Sequence, residues 1–180
     1  YVFLGSRDGW ITKYDLYNLD PVAEVRAGIN MRNIAVSADG RYVMAANYLP
    51  HTLVVFDARE LTPVKLIPVR GREGRSSRVS AVYTARPRES FVAALKDVPE
   101  VWEISYADPP PPGFAGWEHD HREESGDVVP PEPFPVRRID VPVHLDDFFF
   151  NQSYDLVFGT SRDGGGGVLS LDAGRMIGEL

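Results

Sequence analysis

The chain has 180 residues, 26 of them acidic and 19 basic, for a net charge of −7, and 43% are hydrophobic. The hydrophobic share supports a packed core and excludes disorder. The acidity excludes a dedicated nucleic-acid binder, and no run nears the ~18 apolar residues of a membrane-spanning helix. Cysteine is absent, which removes disulfides, thiolate metal ligands and a cysteine nucleophile.

In chain order the apolar runs are short and rich in β-branched or aromatic residues. They are Tyr1–Leu4, Trp10–Tyr14, Val22–Val25, Ile34–Val36, Tyr42–Met44, Leu53–Phe56, Val64–Val69, Val79–Tyr83, Phe91–Leu95, Val101–Ile104, Phe148–Phe150, Leu156–Phe158 and Val168–Leu171. Most are bounded by Gly, Pro, Asp or Asn, and helical periodicity is nearly missing, so the sequence predicts an all-β chain. The runs also repeat. From Asp15 to Asp57 is 42 residues and from Asp57 to Ser105 is 48, close to the about 40–50 residues of a four-stranded propeller blade. Ser37–Tyr42 reads as a tight turn between strands, with Asp39 capping it and Gly40 accepting positive φ.

The step from Ser105 to Asp172 is 67 residues, so about 20 residues are inserted. Ala107–Pro135 holds eight prolines and seven acidic residues against the single Arg122. Such a stretch is expected as an exposed loop, either a solvated excursion or a lid or docking segment. Without it the body is almost neutral. Tyr1 opens inside a strand and Leu180 closes one, with about three and a half blades between them. Because open stacks leave unpaired edges, the whole of 1–180 reads as an excerpt of one β-propeller domain, with no targeting signal read in this segment.

His51, His119, His121 and His144 are the imidazoles. His119 and His121 could grip a divalent metal in the loop, but with no third ligand in view they read as polar loop residues. His51 follows Pro50 in a turn that would lie at a propeller rim. Arg7, Arg32, Arg78 and Arg162 each stand at a strand end or start. Arginines converging on a propeller axis would suit a ligand with several carboxylates; structural bonding between blades is the other reading.

The segments Tyr1–Asp15 and Asn47–Asp57 resemble the early blades of the eight-bladed heme d1 propeller of cytochrome cd1 nitrite reductases. Arg75–Val82, Phe91–Ile104 and Asp146–Tyr154 are more similar to the d1-type domain of that family's biosynthetic members, the dihydro-heme d1 dehydrogenases. The resemblance covers nearly the whole chain except the acidic loop. It implies a tetrapyrrole ligand, heme d1 or its dihydro precursor. Carried over by position, Arg7, Arg32 and Arg162 would bind its acidic side chains and Tyr48 would lie at it, with Arg78 and His51 completing the clamp and face. In an ungapped alignment the two distal histidines that protonate nitrite in the reductases fall at Arg86 and Asp146, and neither is an imidazole donor. Nitrite reduction is therefore not expected.

The function the resemblance implies is heme d1 biosynthesis: oxidation of a propionate of dihydro-heme d1 to an acrylate, with Asp146 and Arg86 catalytic. Electrons would leave through a c-type heme (heme c) domain outside this segment, which has no Cys-x-x-Cys-His. A d1 carrier, a cytochrome cd1-type nitrite reductase and a non-catalytic interaction platform are the alternatives. The resemblance further implies a periplasmic location and contact with cytochrome cd1 nitrite reductase or other maturation proteins.

Overall fold

The computed structural model describes residues 1–114 and 132–180. Among them the chain is all-β, and its one helical element is a 3-10 turn at Arg86–Arg88. The first sheet holds β1 (Val2–Gly5), β2 (Trp10–Asp15) and β3 (Asp20–Arg26). The second holds β4 (Asn30–Val36), β5 (Tyr42–Leu49), β6 (Thr52–Asp57) and β7 (Pro63–Pro68). The third holds β8 (Val79–Ala85), β9 (Ser90–Leu95), β10 (Glu100–Ser105) and β11 (Val136–Asp140). The fourth holds β12 (Asp147–Phe150), β13 (Leu156–Thr160), β14 (Gly166–Ser170) and β15 (Arg175–Glu179). Every sheet is an antiparallel meander in sequence order, as expected for blades of a β-propeller.

Each pair of neighbouring blades encloses its own core. Ile11 packs with Val43, Ala45, Val54 and Phe56 between the first two blades. Met44, Leu53 and Val55 meet Val79, Phe91 and Trp102 between the second and third. Ala81, Val92 and Val101 meet Leu145, Phe148, Val157 and Leu169 between the third and fourth. Strands covered on both faces do not alternate: β9 and β10 are buried throughout, β9 apolar after Ser90, and β10 carrying Glu100, Glu103 and Ser105, whose side chains are hydrogen-bonded. Innermost strands are also stitched across blades: Asn33 Nδ2 donates to Val82 O at 2.8 Å, and Thr84 Oγ1 to Val36 O at 2.7 Å.

The departures from the sequence reading include an early start of β4, at Asn30 rather than Ile34. β5 runs to Leu49, well beyond Met44, because Ala45, Ala46 and Asn47 are buried between blades. β11 was not among the expected runs. Its Val-Arg-Arg-Ile-Asp looks polar, yet it pairs with β10 from Glu100↔Asp140 to Ile104↔Val136.

The meander sorts its turns into two ends. Turns between second and third strands, and the connections between blades, emerge at what we call the upper end; the other turns emerge at the lower end. The β1–β2 turn belongs to the upper end, since Arg7 O accepts from Met31 N at the start of β4, 3.0 Å away. The acidic insertion joins β10 to β11 and so departs from the lower end. Its described ends are not free loop: Phe114 and Phe134 are buried, and Phe134 meets the Tyr42 ring edge-on at 4.9 Å. Lys65 Nζ pairs with Glu132 at 2.7 Å. Most described residues of these stems are exposed or half-buried, with Phe114 and Phe134 the packed exceptions, and Glu132 and Phe134 hold to the second blade. His119 and His121 lie outside the described residues. Among the described residues no group of three or more His, Asp or Glu is placed to hold a metal, and no helix is long and apolar enough to cross a membrane.

Candidate ligand-binding site

The upper end collects side chains from every blade. The β1–β2 turn presents Arg7, and Gly9 in that turn has φ +93 with the Gly28 carbonyl 2.1 Å from where a Cβ would sit. Only glycine fits there. Arg32 lies on β4, Tyr48 and His51 flank the β5–β6 turn, Arg78 immediately precedes β8, Asp146 immediately precedes β12, and Arg162 lies in the β13–β14 turn. Buried Asn47 fixes the neighbourhood of Tyr48, donating to Ala27 O at 2.9 Å and to Thr52 Oγ1 at 3.1 Å.

Between the third and fourth blades these elements enclose a cleft of about 310 Å³, lined by Arg75, Arg78, Ser80, Lys96, Asp97, His144, Asp146 and Arg162 among others. Arg78 holds Asp97 with both its backbone N–H and Nε at 2.9 Å, and Nη2 adds a third contact at 2.5 Å. The hydrogen bonds and charge of Arg78 outweigh burial and bring the Asp97 carboxyl down to about 2. Across the blade boundary, Lys96 Nζ donates to Asp146 Oδ1, and Arg162 Nη2 stands 3.7 Å from Asp146 Oδ2. The Lys96 hydrogen bond, reinforced by the charges of Lys96, Arg162 and Arg32, holds the Asp146 carboxyl below its ordinary range despite partial burial. The Tyr48 ring faces Arg78 Cζ at 5.6 Å and Lys96 Nζ at 5.8 Å. Ser80 is fully buried, and its hydroxyl has no hydrogen-bond partner among the described residues.

The structure therefore brings Arg78, Asp146 and Arg162 to one cleft with Tyr48 beside it. Arg32 borders it, its Nε donating to Ser80 O at 2.8 Å and its Nη2 lying 4.0 Å from Asp147. His51 shares the upper end but turns to Ser76, with Nδ1 and Oγ 2.6 Å apart. Arg7 is exposed on the first blade, at the same end. Arg86 is a correction. It follows the seven-residue β8 at the lower end, some 20 Å from Arg78 at about 3.3 Å per residue, beside Ala35, Tyr83 and Phe150. It cannot face Asp146, and the ungapped alignment that paired them ignored the insertion between them. His144 also lines the cleft. His144 stands two residues before Asp146 and was legible only as one of four histidines. Lys96, Arg75 and Ser80 were also missed as site residues.

The described ends of the acidic connection stand at the lower end, and the remainder of it lies outside the described residues.

Residues 1–118 match the Cytochrome D1 heme domain family. The chain is 49% identical over 180 residues to a dihydro-heme d1 dehydrogenase of Pseudomonas aeruginosa, covering 99% of this chain and 32% of that protein. It is 38% identical over 114 residues to Protein NirF of the same organism, covering 61% of this chain and 29% of that protein. The solved structure of dihydro-heme d1 dehydrogenase NirN in complex with DHE superposes with a TM-score of 0.82 at 47% identity, over 99% of this chain and 34% of that one. The chain thus spans about a third of the length of the curated relatives it matches. The chain is a β-propeller member of the cytochrome d1 heme domain family.

Proposed function

We propose that this chain binds dihydro-heme d1 and serves the oxidation of one of its propionates to an acrylate, the closing step of heme d1 formation. The observation that carries this reading is the convergence of Arg75, Arg78, Lys96 and Arg162 with the imidazole of His144 around one cleft. That donor set fits a ligand carrying several carboxylates, because guanidinium forks take carboxylates in bidentate fashion. The unpartnered Ser80 hydroxyl supplies one more donor. Arg162, with 69% of its side chain exposed, is free to take a ligand carboxylate. Arg78 is committed to Asp97 and forms a fixed wall, with Arg7, Arg32 and His51 at the rim and Tyr48 against the ring face.

The oxidation removes two electrons and two protons from adjacent carbons of the propionate, leaving a double bond. The electrons pass to an acceptor, for which a c-type heme outside these residues is the natural class. A proton needs a base. Asp146, held ionised by Lys96, is a weak one and acts as a positioning residue. An imidazole accepts protons near neutral pH, so His144 takes that role. The same proposal makes residues 1–180 part of one d1-type propeller, in the periplasm, handing its product to cytochrome cd1 nitrite reductase.

The test is to mix the full-length protein with dihydro-heme d1 and a one-electron acceptor. The visible spectrum should move to that of finished heme d1, and His144→Ala should retain binding but lose the shift. An unchanged spectrum on mixing overturns the reading, and brisk nitrite turnover by the heme d1-loaded protein would replace it with a reductase.

A further inference from the structure

In a chain of net charge −7, the stretch Arg70–Arg78 holds four arginines and one glutamate. It connects β7 to β8, two blades, and so stands at the upper end. Its backbone is fixed. Arg70 and Ser76 form an antiparallel bridge, Gly71 N–H donates to Arg75 O at 2.9 Å, and Gly74, at φ +80, donates to Gly71 O at 2.8 Å. Beneath the loop, buried Glu100 accepts from Arg72 N–H at 2.8 Å on one oxygen and from Trp102 Nε1 at 2.7 Å on the other. A Cβ at position 71 would lie 2.9 Å from that first oxygen, so glycine lets the loop reach it. Glu100 is thereby spent on the scaffold, with neither oxygen on a guanidinium.

The side chains the loop displays are not spent. Arg70, Arg72 and Arg75 are exposed, and so is Arg138 of β11. Arg72 Nη2 donates to Arg138 O at 3.1 Å, and Arg138 Cζ stands 4.8 Å from the centre of the Trp102 ring. Arg72 reaches Asp140 at 3.3 Å, an exposed pair of the kind that contributes little. Among the described residues no carboxylate pairs with Arg70, Arg75 or Arg138. Arginine is enriched at protein interfaces, and holding it on a fixed loop lowers the ordering cost of association.

We propose that Arg70, Arg72 and Arg138 form a docking edge for a carboxylate-bearing rim of the protein that receives the finished tetrapyrrole. The assignment rests on the handover reading above and adds a surface that reading does not name. Arg75 belongs to the same loop and lines the cleft, so a protein seated on this edge stands at the cleft mouth. Two clefts built to hold one polycarboxylate are both cationic and repel as they approach. An acidic rim on the recipient, set against a basic edge here, turns that repulsion into attraction and fixes how the two mouths face. Arg70, Arg72 and Arg138 lie outside the cleft lining, so they act on encounter and not on ligand affinity.

The experiment follows heme d1 passing from the loaded full-length protein to apo cytochrome cd1 nitrite reductase, by stopped-flow absorption at several salt concentrations. The parent's second-order rate should fall as salt rises. Arg70→Glu combined with Arg138→Glu should slow transfer by about tenfold or more at low salt and remove most of the salt dependence. The same variant should keep its melting temperature, and its heme d1 affinity should stay within a factor of about two. Arg70→Lys with Arg138→Lys keeps the charge and should keep the rate within about threefold. An unchanged rate and salt dependence in the glutamate variant overturn the proposal, as does a transfer rate independent of recipient concentration. A loss of heme d1 affinity that accounts for the slower transfer overturns it as well. So does binding of the parent alone to vesicles of acidic phospholipid with transfer unaltered, which assigns the edge to a lipid surface. Should the double variant fail to fold, Arg70→Glu alone still decides by its rate and salt dependence. A parent that loads heme d1 yet passes none on defeats the handover reading instead.

Discussion

The boundary between the third and fourth blades is fastened by ions at both ends, and the two fastenings differ in kind. At the lower end Glu103 is fully buried; its Oε1 accepts from Arg88 Nε at 2.7 Å and Ser90 Oγ at 2.9 Å, and its Oε2 from Arg137 Nη2 at 2.6 Å. Arg88 continues to Asp172 of the fourth blade at 2.5 Å, and Arg137 to the Leu171 carbonyl. Both carboxylate oxygens of Glu103 are satisfied there, and the one donor of the cluster left over is the buried Arg137 Nε. At the upper end Lys96, Asp146 and Arg162 surround an open cleft, Arg162 is mostly exposed, and a buried hydroxyl nearby has no partner. A carboxylate that is buried and paired on both oxygens holds blades together, whereas one that opens to a cleft beside an exposed arginine leaves room for a ligand. The same residue types serve both ends; what separates them is the burial of the central carboxylate, 0% exposed for Glu103 and 32% for Asp146.

The sharpest way to break this contrast is at Glu103. Replacing it with alanine strands two guanidinium groups in a buried site, and such losses cost about 3–5 kcal/mol. The denaturant midpoint should fall accordingly, while ligand affinity at the far end stays within a factor of about two. A similar loss, about 3 kcal/mol, is expected for Phe134→Ala, which empties a packed aromatic site at the stem of the acidic insertion. Deleting residues 115–131 while keeping Phe114 and Phe134 should cost less than about 1 kcal/mol, since loop closure depends weakly on length. Melting curves of the two variants separate stem from loop. At the upper end the balance should invert. Arg162→Ala should leave the melting temperature unchanged and cost about 1.5–3 kcal/mol of ligand affinity, roughly ten- to hundredfold by titration.

The smallest effect is in pH. Asp97 is depressed from 3.8 to about 2 by Arg78. A carboxylate with a lowered folded-state pKa stabilises the fold above its unfolded value and loses that contribution as pH falls through the folded one. Stability should therefore drop by at most about 2 kcal/mol between about pH 4 and pH 2. Asp97→Asn should flatten that part of the curve.

The blades were legible because their signals are local: a β-branched run, an Asp-Gly turn, another run. β11 was not, since its arginines hide a strand whose Ile139 faces the core while Arg137 serves the buried Glu103. The upper-end arginines could be named because each sits at a strand boundary, which sequence shows. Their neighbours could not. Lys96 follows an apolar run, Ser80 looks like an ordinary strand residue, and His144 lies in a Pro-Val-His-Leu connection. What joins them is the packing of one blade on the next, across a sequence separation of 50 residues between Lys96 and Asp146. Arg86 fails for the same reason in reverse: an alignment without gaps ignores which end of a strand a residue occupies.

The stem of the acidic connection has a mechanical consequence. Phe134 meets Tyr42 of the second blade edge-on at 4.9 Å, and Glu132 pairs with Lys65 of the same blade. A force that pulls this stem outward is therefore borne by the second blade as well as by the third, and both contacts must part before β11 can peel from its sheet.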